Sequence, residues 1–384
     1  MRILLTTPSM EVGGAERVVT ILAECLAARG HTIGLAAPRG ALDADMIGTP
    51  HTRMTLREDG RAAAGAMRST LSLTSAIRSF DPDVVHAQNV KSAVTARAGA
   101  TLARGRGRPA ILATFHGVLP AEYPRAAKLL RSADHVACVS SDLLARITAA
   151  GLPATKASLI RNAIDLPPPL SDERRAALDH ELGLADAPAV AIVGRLVPQK
   201  AHERFLTAAN IVAQSVPEAR FLIVGEGPRR ESIERSIQAA GLEDRVHMTG
   251  RRSDAREIIA RAQVLVFSSE WEGLSIAALE ALAAGTPVVS TDVQGMRELL
   301  ATGAGAIVPL DDGTALGRRI AALLADQAEQ AAMGRAGRDL IEREFSLNGM
   351  VESYERLYDE ILARASGRTA HHDQPPSHTS SHDG

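Results

Sequence analysis

The sequence predicts an α/β protein with two similar domains, each a parallel β-sheet wrapped by helices. Its 384 residues are enough for two hydrophobic cores. Short apolar runs typical of strands alternate with longer runs that have helical spacing. The alternation restarts after residue 165, so we expect two domains that face each other across a cleft.

The first half of the chain predicts strands separated by helices, beginning at Arg2. A helix is expected after the first strand, because AERVVTILAECLAARG has apolar residues at helical spacing. The strand-like runs of this half are RILLTTP, HTIGLAAP, DVVHAQ, AILATFHG and HVACVSS. His86 lies among apolar residues in DVVHAQ and is predicted to be a structural core residue.

The second half repeats the pattern, and a connector separates it from the first. Its strand-like runs are AVAIVGRL, ARFLIVGEG, DRVHMTG, QVLVFSSE and TPVVSTD. The connector RNAIDL is followed by three prolines, which cannot continue a helix. We assign residues 1–165 and 166–348 to the two domains, 349–365 to a final amphipathic helix, and the polar segment 366–384 to a disordered tail.

Composition excludes several classes of protein. Aromatic residues make up only 3% of the chain, so nucleic-acid stacking platforms are not expected. The only two cysteines, Cys25 and Cys138, lie in apolar runs, and we expect both to be reduced. No signal-peptide pattern or apolar run of membrane-spanning length occurs, so a cytoplasmic, non-integral protein is predicted.

The net charge of −2 hides an asymmetry between the two halves. Residues 1–165 contain 20 Lys and Arg against 13 Asp and Glu, and the remainder contains 23 against 32. A basic cluster in the first half is formed by Arg97, Arg104, Arg106, Arg108, Arg125, Lys128 and Arg131. It predicts contact with an anionic acceptor or with an anionic membrane at its inner face, and a solvated basic surface is the alternative.

A glycine turn after the first strand is the first candidate ligand site. Gly13 and Gly14 open the first predicted helix, where the backbone can approach a ligand closely. The G-x-G-x-x-G spacing of dinucleotide-binding proteins is missing, and no acid ends the second strand. This argues against an oxidoreductase, although the turn could also serve only to pack strand against helix.

Two cations follow the first strand of the second half. Gly194, Arg195 and Lys200 lie where ligands bind in open α/β sheets, and the two charges can hold a diphosphate without a metal. Gly225 and Glu226 end the next strand, at a turn that would lie under a nucleotide base or would be a plain turn.

Residues 268–298 contain two acids at a predicted loop-to-helix junction. Glu272 precedes a helix expected from Leu274 to Ala284, whose free amides favour a phosphate beside Glu272. Glu280 lies farther along that helix, and its carboxylate can accept two hydroxyl hydrogen bonds, as a ribose offers. The candidate donor-site residues of this junction are Glu272, Gly273, Leu274, Ser275 and Glu280.

Taken together, these motifs resemble retaining glycosyltransferases of family 4, up to about residue 365. The resemblance is carried by GGAER, TFHG, the NAID connector, GRLVPQK, GEGP, WEGLSIAALEALAAGTPVV and GMRE. It implies the GT-B fold: two Rossmann-like domains face a central cleft, the first binding acceptor and the second binding donor, and the C-terminal helix packs back toward the first domain. Ala201 departs from the family pattern, which commonly has Gly after the lysine.

The resemblance also implies roles for individual residues. Arg195 and Lys200 would hold the donor diphosphate, Glu272 and the amides after it would meet the sugar and distal phosphate, and Glu280 would bind ribose. His116 would lie near the donor sugar. The expected reaction transfers a sugar with retention from a UDP- or GDP-linked donor to a hydroxyl of a glycan, a lipid-linked sugar or a small molecule, without a metal or other cofactor.

Two alternatives to transfer remain open at this point. A sugar-nucleotide epimerase or phosphorylase-like enzyme of the same fold would need no separate hydroxyl acceptor. A catalytically silent nucleotide-sugar-binding subunit would keep the fold, although the presence of Arg195, Lys200, Glu272 and Glu280 argues against it.

Overall fold

The computed structural model describes residues 1–56, 63–103 and 107–366. Its strands form two fully parallel sheets, one from residues 2–159 and one from residues 189–308. Arg104 and Arg106 of the basic cluster, and the tail predicted to be disordered apart from Ser366, lie outside the described residues.

The first sheet has seven strands in the order β3-β2-β1-β4-β5-β6-β7. The strands are added on one side of β1 up to β3 and on its other side from β4 onward, so the strand order reverses between β1 and β4. The loops after these two strands diverge there and leave a crevice. The strands are β1 Arg2–Thr6, β2 Thr32–Ala37, β3 Thr52–Thr55, β4 Val84–Ala87, β5 Ala110–Phe115, β6 His135–Cys138 and β7 Ala157–Leu159. The helices are α1 Gly14–Ala28, α2 Ala63–Phe80, α3 Val90–Ala103, α4 Tyr123–Leu130 and α5 Ser141–Ala149.

The second sheet has six strands in the order β10-β9-β8-β11-β12-β13, and its order reverses between β8 and β11. The strands are β8 Ala189–Val193, β9 Arg220–Val224, β10 Val246–Gly250, β11 Val264–Phe267, β12 Val288–Thr291 and β13 Gly305–Val308. The helices are α6 Asp172–Glu181, α7 His202–Ser215, α8 Arg230–Ala239, α9 Ala255–Arg261, α10 Ile276–Ala284, α11 Met296–Leu300, α12 Gly313–Ala325 and α13 Gln327–Glu344.

The last helix, α14 (Leu347–Ala365), returns to the first domain, as predicted. Its Glu355 pairs with Arg29 at 2.8 Å and with His31 at 2.8 Å, both at the end of α1. Its Tyr354 and Tyr358 are buried against the first sheet. The helix begins two residues before the predicted start, because the hydroxyl of Ser346 accepts a hydrogen bond from the Gly349 amide and caps it.

Sequence reasoning missed three strands, β3, β7 and β13, and each lies at an edge of its sheet. These strands have three or four residues and are only partly buried, so their apolar signal is weak. Both cysteines are free, with Cys138 buried and Cys25 half-buried. Within the described ranges, no helix combines the length and apolar character needed to cross a membrane.

Candidate active site

The loops at the carboxyl ends of the two sheets meet across a narrow cleft. A Cβ on Gly14, at the start of α1, would lie 3.7 Å from Cγ1 of Ile276, at the start of α10. Asn162 of the connector donates through Nδ2 to the Leu274 carbonyl oxygen at 3.2 Å. The loop after β1 and the connector after β7 are thereby held against the loop between β11 and α10.

The half-buried Lys200 and the buried Glu272 form an ion pair where the strand order of the second sheet reverses. Lys200 Nζ lies 2.6 Å from Glu272 Oε1, which also accepts a hydrogen bond from Ser269 Oγ at 2.6 Å. Glu272 is 5% exposed and the Lys200 side chain 14%, so water screens the pair poorly. One N–H group of the Lys200 ammonium donates to Glu272, and the other two remain as hydrogen-bond donors for a second anion.

The Gly194 backbone makes room for the lysine stem. Gly194 has φ +156°, and a Cβ there would lie 3.1 Å from Cε of Lys200. Ala201, which departs from the family pattern, has φ +44° in the left-handed region. That conformation costs an alanine about 1 kcal/mol, and the chain adopts it between Lys200 and α7.

Arg195 differs from Lys200 because its guanidinium is exposed and pairs with no acid of the described residues. It faces the first domain, where its charge acts on Glu16 in the first turn of α1. Burial raises the pKa of the Glu16 carboxyl, and the nearby Arg195 partly offsets that rise. An exposed arginine in the same loop as a half-buried, paired lysine suits a site that receives an anion from solvent.

Glu280 faces a different partner from Glu272. Its carboxyl lies within α10, with Oε1 3.4 Å from Nε of Arg256. Arg256 also holds Asp165 of the connector at 2.9 Å. Burial raises the pKa of Glu280, while Arg256 and Arg17 lower it. The structure therefore places Glu280 beside the connector between the domains, with Arg256 as the cation that contacts it.

The helix α10 begins two residues later than predicted, at Ile276, with Ser275 as its N-cap and Gly285 in a left-handed conformation after its end. Leu274 and Ser275 thus belong to the loop, and their amides precede the helix. Gly13 is extended, with φ −170°, and lies directly before α1. A Cβ on Gly13 would overlap the folded-back Glu16 carboxyl.

Two further predicted residues lie at strand ends. A Cβ on Gly225, which has φ +144°, would overlap the Gly194 carbonyl oxygen, so the loops after β8 and β9 are in close contact. Glu226 is exposed and pairs with Arg230 at 2.6 Å. His116 is half-buried after β5, and its Nε2 lies 3.2 Å from Gln88 Oε1. Burial lowers the pKa of His116 to about 4, so the ring is neutral at pH 7.

Sequence reasoning missed four residues of the site: Ser269, Arg256, Gln88 and Gly295. Ser269 and Arg256 carry no recognisable signal, since only folding brings them to Glu272 and Glu280. Gly295 belongs to the GMRE motif, which carries the family resemblance but does not predict a site role for this glycine. Gly295 has φ +72°, and a Cβ there would overlap the Gly273 carbonyl oxygen. A Cβ on Gly273 would in turn overlap the His116 carbonyl oxygen. In the part of the chain with described positions, no three His, Cys, Asp or Glu side chains cluster as a metal site requires.

Two family models match the chain, one in each domain. The model described as Glycosyltransferase Family 4 matches residues 12–167. The model described as Glycosyl transferases group 1 matches residues 175–340. The two matches together include every predicted site residue.

Curated relatives are similar over part of their length. The chain is 31% identical over 194 residues to an alpha-D-kanosaminyltransferase of Streptomyces kanamyceticus, covering 50% of each protein. It is 30% identical over 268 residues to a GDP-mannose-dependent monoacylated alpha-(1-6)-phosphatidylinositol monomannoside mannosyltransferase of Corynebacterium glutamicum, covering 65% of this chain and 70% of that protein. The match to the kanosaminyltransferase thus spans half of its length.

A solved structure shares the fold over nearly the whole chain. The crystal structure of Anabaena Alr3699/HepE in complex with UDP-glucose superposes with a TM-score of 0.83 and covers 94% of this chain and 100% of that chain. Sequence identity over the superposition is 19%, so the likeness concerns the fold alone. It confirms the predicted GT-B architecture of two Rossmann-like domains.

Alanine at Gly295 should disturb the loop that carries Glu272. The positive φ and the overlap with the Gly273 carbonyl together should lower the free energy of unfolding by about 3 kcal/mol or more. Gly303→Ala is the matched control, because Gly303 has φ +83° with no atom within 4 Å of a Cβ. It should cost only about 1 kcal/mol.

The single tryptophan, Trp271, lies in the same loop and reports on it by fluorescence. Its emission should shift in Gly295→Ala and stay unchanged in Gly303→Ala. Equal losses of stability in urea unfolding, with no shift in either variant, would show that the Gly273 contact does not hold this loop.

Proposed function

Because the chain belongs to glycosyltransferase family 4, we propose that it moves a sugar from a UDP- or GDP-linked donor to a hydroxyl acceptor. The observation that supports this best is the Lys200–Glu272 ion pair where the sheet order reverses, in the same loop as Arg195, which has no acid partner among the described residues. Open α/β sheets bind nucleotides at such points. We place the reaction in the synthesis of cell-surface glycan, glycolipid or glycosylated metabolite.

We propose that Arg195 and Lys200 hold the donor diphosphate and neutralise it as it leaves. Glu272 orients Lys200 through the 2.6 Å contact, and the ammonium protons not used by Glu272 face the phosphate. The amides of Gly273, Leu274 and Ser275, together with the start of α10, add positive potential at the distal phosphate. Charges fixed before the reaction stabilise the transition state without reorganisation.

In the same proposal, Glu280 binds the ribose, and the glycine turns surround the nucleotide. Arg256 Nε lies 3.4 Å from Oε1 of the Glu280 carboxylate, which has about four acceptor sites in all. Gly194, Gly225 and Glu226 lie under the base and diphosphate, and Gly13 and Gly14 approach from the first domain. His116 lies next to Gly273 and would contact the donor sugar.

We further propose transfer with retention of anomeric configuration and without a metal. The acceptor hydroxyl attacks from the face that the diphosphate leaves, and a phosphate oxygen accepts the hydroxyl proton. His116 is a poor base for that step at neutral pH, because burial lowers its pKa to about 4. Arg195 and Lys200 supply the positive charge that a metal would otherwise supply.

Removal of the diphosphate cations is the first test. Arg195→Ala leaves no buried acid unpaired, so its effect on transfer can be assigned to the lost contact with the donor. The double variant with Lys200→Ala should lose roughly a thousandfold or more in transfer rate. Arg235→Ala, on an exposed position of α8, should transfer normally. A near-normal rate in the double variant would disprove the assigned diphosphate site.

Substitution of Glu272 and of Glu280 should affect different steps, one the transfer rate and the other donor binding. Glu280→Gln should weaken binding of the free nucleoside diphosphate and raise the donor KM. Glu272→Gln keeps an oxygen that accepts from Lys200, so it should bind the diphosphate almost normally and lose transfer rate. Calorimetry with the diphosphate, compared with transfer rates, checks this. Equal loss of diphosphate binding in both variants would contradict the assigned roles.

The stereochemistry and metal requirement can be read from one reaction. The anomeric configuration of the product, measured by NMR, should match that of the donor, and the rate should survive a chelator. An inverted product, or a loss on chelation restored by magnesium or manganese, would overturn that part of the proposal. Donor isomerisation without acceptor, or phosphorolysis, would support the alternative enzymes of the same fold.

We also propose that the protein is cytoplasmic and touches the anionic inner face of the membrane through the first domain. Arg97 is not available for this contact, because it pairs with Asp134 at 2.6 Å, and Arg131 donates to the Gly151 carbonyl at 2.7 Å. Arg108 and, on α4, Arg125 and Lys128 remain exposed.

Flotation with vesicles containing anionic lipid checks the membrane proposal. Binding should be stronger at low salt, since exposed charges are screened over about 8 Å at physiological ionic strength. Arg125→Glu with Lys128→Glu should remove binding, and Arg318→Glu, on an exposed position of α12, should not. If the wild-type protein does not float at low salt, the basic cluster is only a solvated surface.

A further inference from the structure

A chain of hydrogen bonds runs from the C-terminal helix to His116 in the cleft. It starts at the Tyr358 hydroxyl, 2.7 Å from His86 Nδ1. His86 Nε2 lies 3.2 Å from Gln88 Nε2, and Gln88 Oε1 lies 3.2 Å from His116 Nε2. Tyr358, His86 and Gln88 are at most 1% exposed, so the chain is closed to water until it reaches His116.

The direction of each hydrogen bond follows from Gln88. Its Nε2 can only donate, and the Thr114 hydroxyl, 2.7 Å from the same ring nitrogen, can donate as well, so His86 Nε2 is the acceptor of both. The proton of the neutral ring is then on Nδ1, which donates to Tyr358. Its Oε1 can only accept, so His116 Nε2 carries a proton. Burial keeps both rings neutral, lowering the pKa of His86 to about 3 and that of His116 to about 4.

One proton on each ring fixes both tautomers. With its proton on Nε2, His116 keeps a lone pair on Nδ1, which has no hydrogen-bond partner among the described residues and is not sealed from solvent. Gly273 lies against the His116 carbonyl, so this lone pair belongs to the same cleft as Glu272. A nitrogen lone pair accepts a hydroxyl hydrogen bond, and a protonated nitrogen does not.

We propose that Tyr358 is a positioning residue that, through His86 and Gln88, fixes His116 as the Nε2-protonated tautomer and leaves Nδ1 to accept a hydroxyl. That the hydroxyl belongs to the donor sugar rests on the function proposed above. The hydrogen-bond chain itself does not. It connects the helix that crosses back from the second domain to the reacting end of the cleft.

Loss of the Tyr358 hydroxyl should reverse the donor and acceptor roles in the hydrogen bonds between His86, Gln88 and His116. Nδ1–H of His86 would be left as a buried donor without a partner, a situation that is rarer in proteins than an unpaired acceptor. The proton of His86 then moves to Nε2, where Thr114 Oγ1 at 2.7 Å can accept it. The Gln88 amide turns, because its nitrogen would otherwise face a protonated ring nitrogen. Its nitrogen now donates to His116 Nε2, and the proton of His116 moves to Nδ1. No proton is gained or lost at either ring.

Tyr354 provides the matched control. It lies one turn before Tyr358 on α14, is 1% exposed, and stacks on Tyr358 with ring centroids 6.2 Å apart. Its hydroxyl, however, contacts Thr114 Oγ1 at 3.1 Å and makes no hydrogen bond to His86. Thr114 Oγ1 in turn lies 2.7 Å from His86 Nε2, so Tyr354 acts only indirectly, on the acceptor side of His86. Tyr354→Phe therefore removes an equally buried hydroxyl from the same helix and leaves Tyr358 as the partner of His86 Nδ1.

The test is NMR of the histidine ring nitrogens in the full-length protein without ligand. Protein labelled with ¹⁵N at histidine gives separate signals for protonated and unprotonated nitrogens, and His116→Gln assigns the His116 pair. Wild type and Tyr354→Phe should show His116 protonated at Nε2, and Tyr358→Phe should show it at Nδ1. Folded Tyr358→Phe with unchanged His116 signals overturns the proposal.

A second variant keeps the test decisive if Tyr358→Phe does not fold. Gln88→Met removes the middle of the chain while filling the same space, so His116 should lose its fixed tautomer and show both forms in exchange. Wild-type signals in Gln88→Met would equally overturn the relay.

Transfer rates then separate the relay from the proposed function. If His116 Nδ1 accepts a sugar hydroxyl, Tyr358→Phe should lower kcat/KM for the donor about tenfold, the effect of one hydrogen bond. Free nucleoside diphosphate, which has no sugar, should bind as in wild type. A changed tautomer with an unchanged rate would support the relay and contradict the role of His116 at the sugar.

Discussion

The contact on which the site depends is the close approach of three backbone segments at Gly295, Gly273 and His116. No side chain fits between Gly295 and the Gly273 carbonyl, or between Gly273 and the His116 carbonyl. The loop of Glu272 is therefore held between the second domain and the first. Because peptide groups are rigid and protein interiors are densely packed, a displacement at any of the three segments is transmitted to the others.

The ion pair of Lys200 and Glu272 can exist only in this setting. A buried charge is costly unless a partner and further hydrogen bonds satisfy it, and Glu272 has both in Lys200 and Ser269. The pair stabilises the fold only modestly, but it fixes the ammonium in one place. Arg195, exposed and with no acid partner among the described residues, adds a second positive charge in the same loop as Lys200.

The C-terminal helix is connected to the first sheet and the cleft by its buried tyrosines more than by its surface ion pairs. The ion pairs of Glu355 with Arg29 and His31 lie at the rim, where solvent weakens them. Tyr354 and Tyr358 instead lie in the core and contact Thr114 and His86. A buried polar network in which every group has a partner is costly to rearrange. His86 belongs to such a network, so it does more than the core packing that its apolar sequence neighbours predict.

The sequence by itself determined the two α/β domains, the C-terminal helix and the loops that carry Arg195, Lys200 and Glu272. These follow from apolar periodicity and from glycines and prolines at strand ends, which act over a few residues. Only the tertiary structure decided which side chains meet: Ser269 with Glu272, Arg256 with Glu280, and Tyr358 with His86. The last pair is separated by 272 residues, and no local pattern encodes a contact formed only when two sheets and a returning helix pack together.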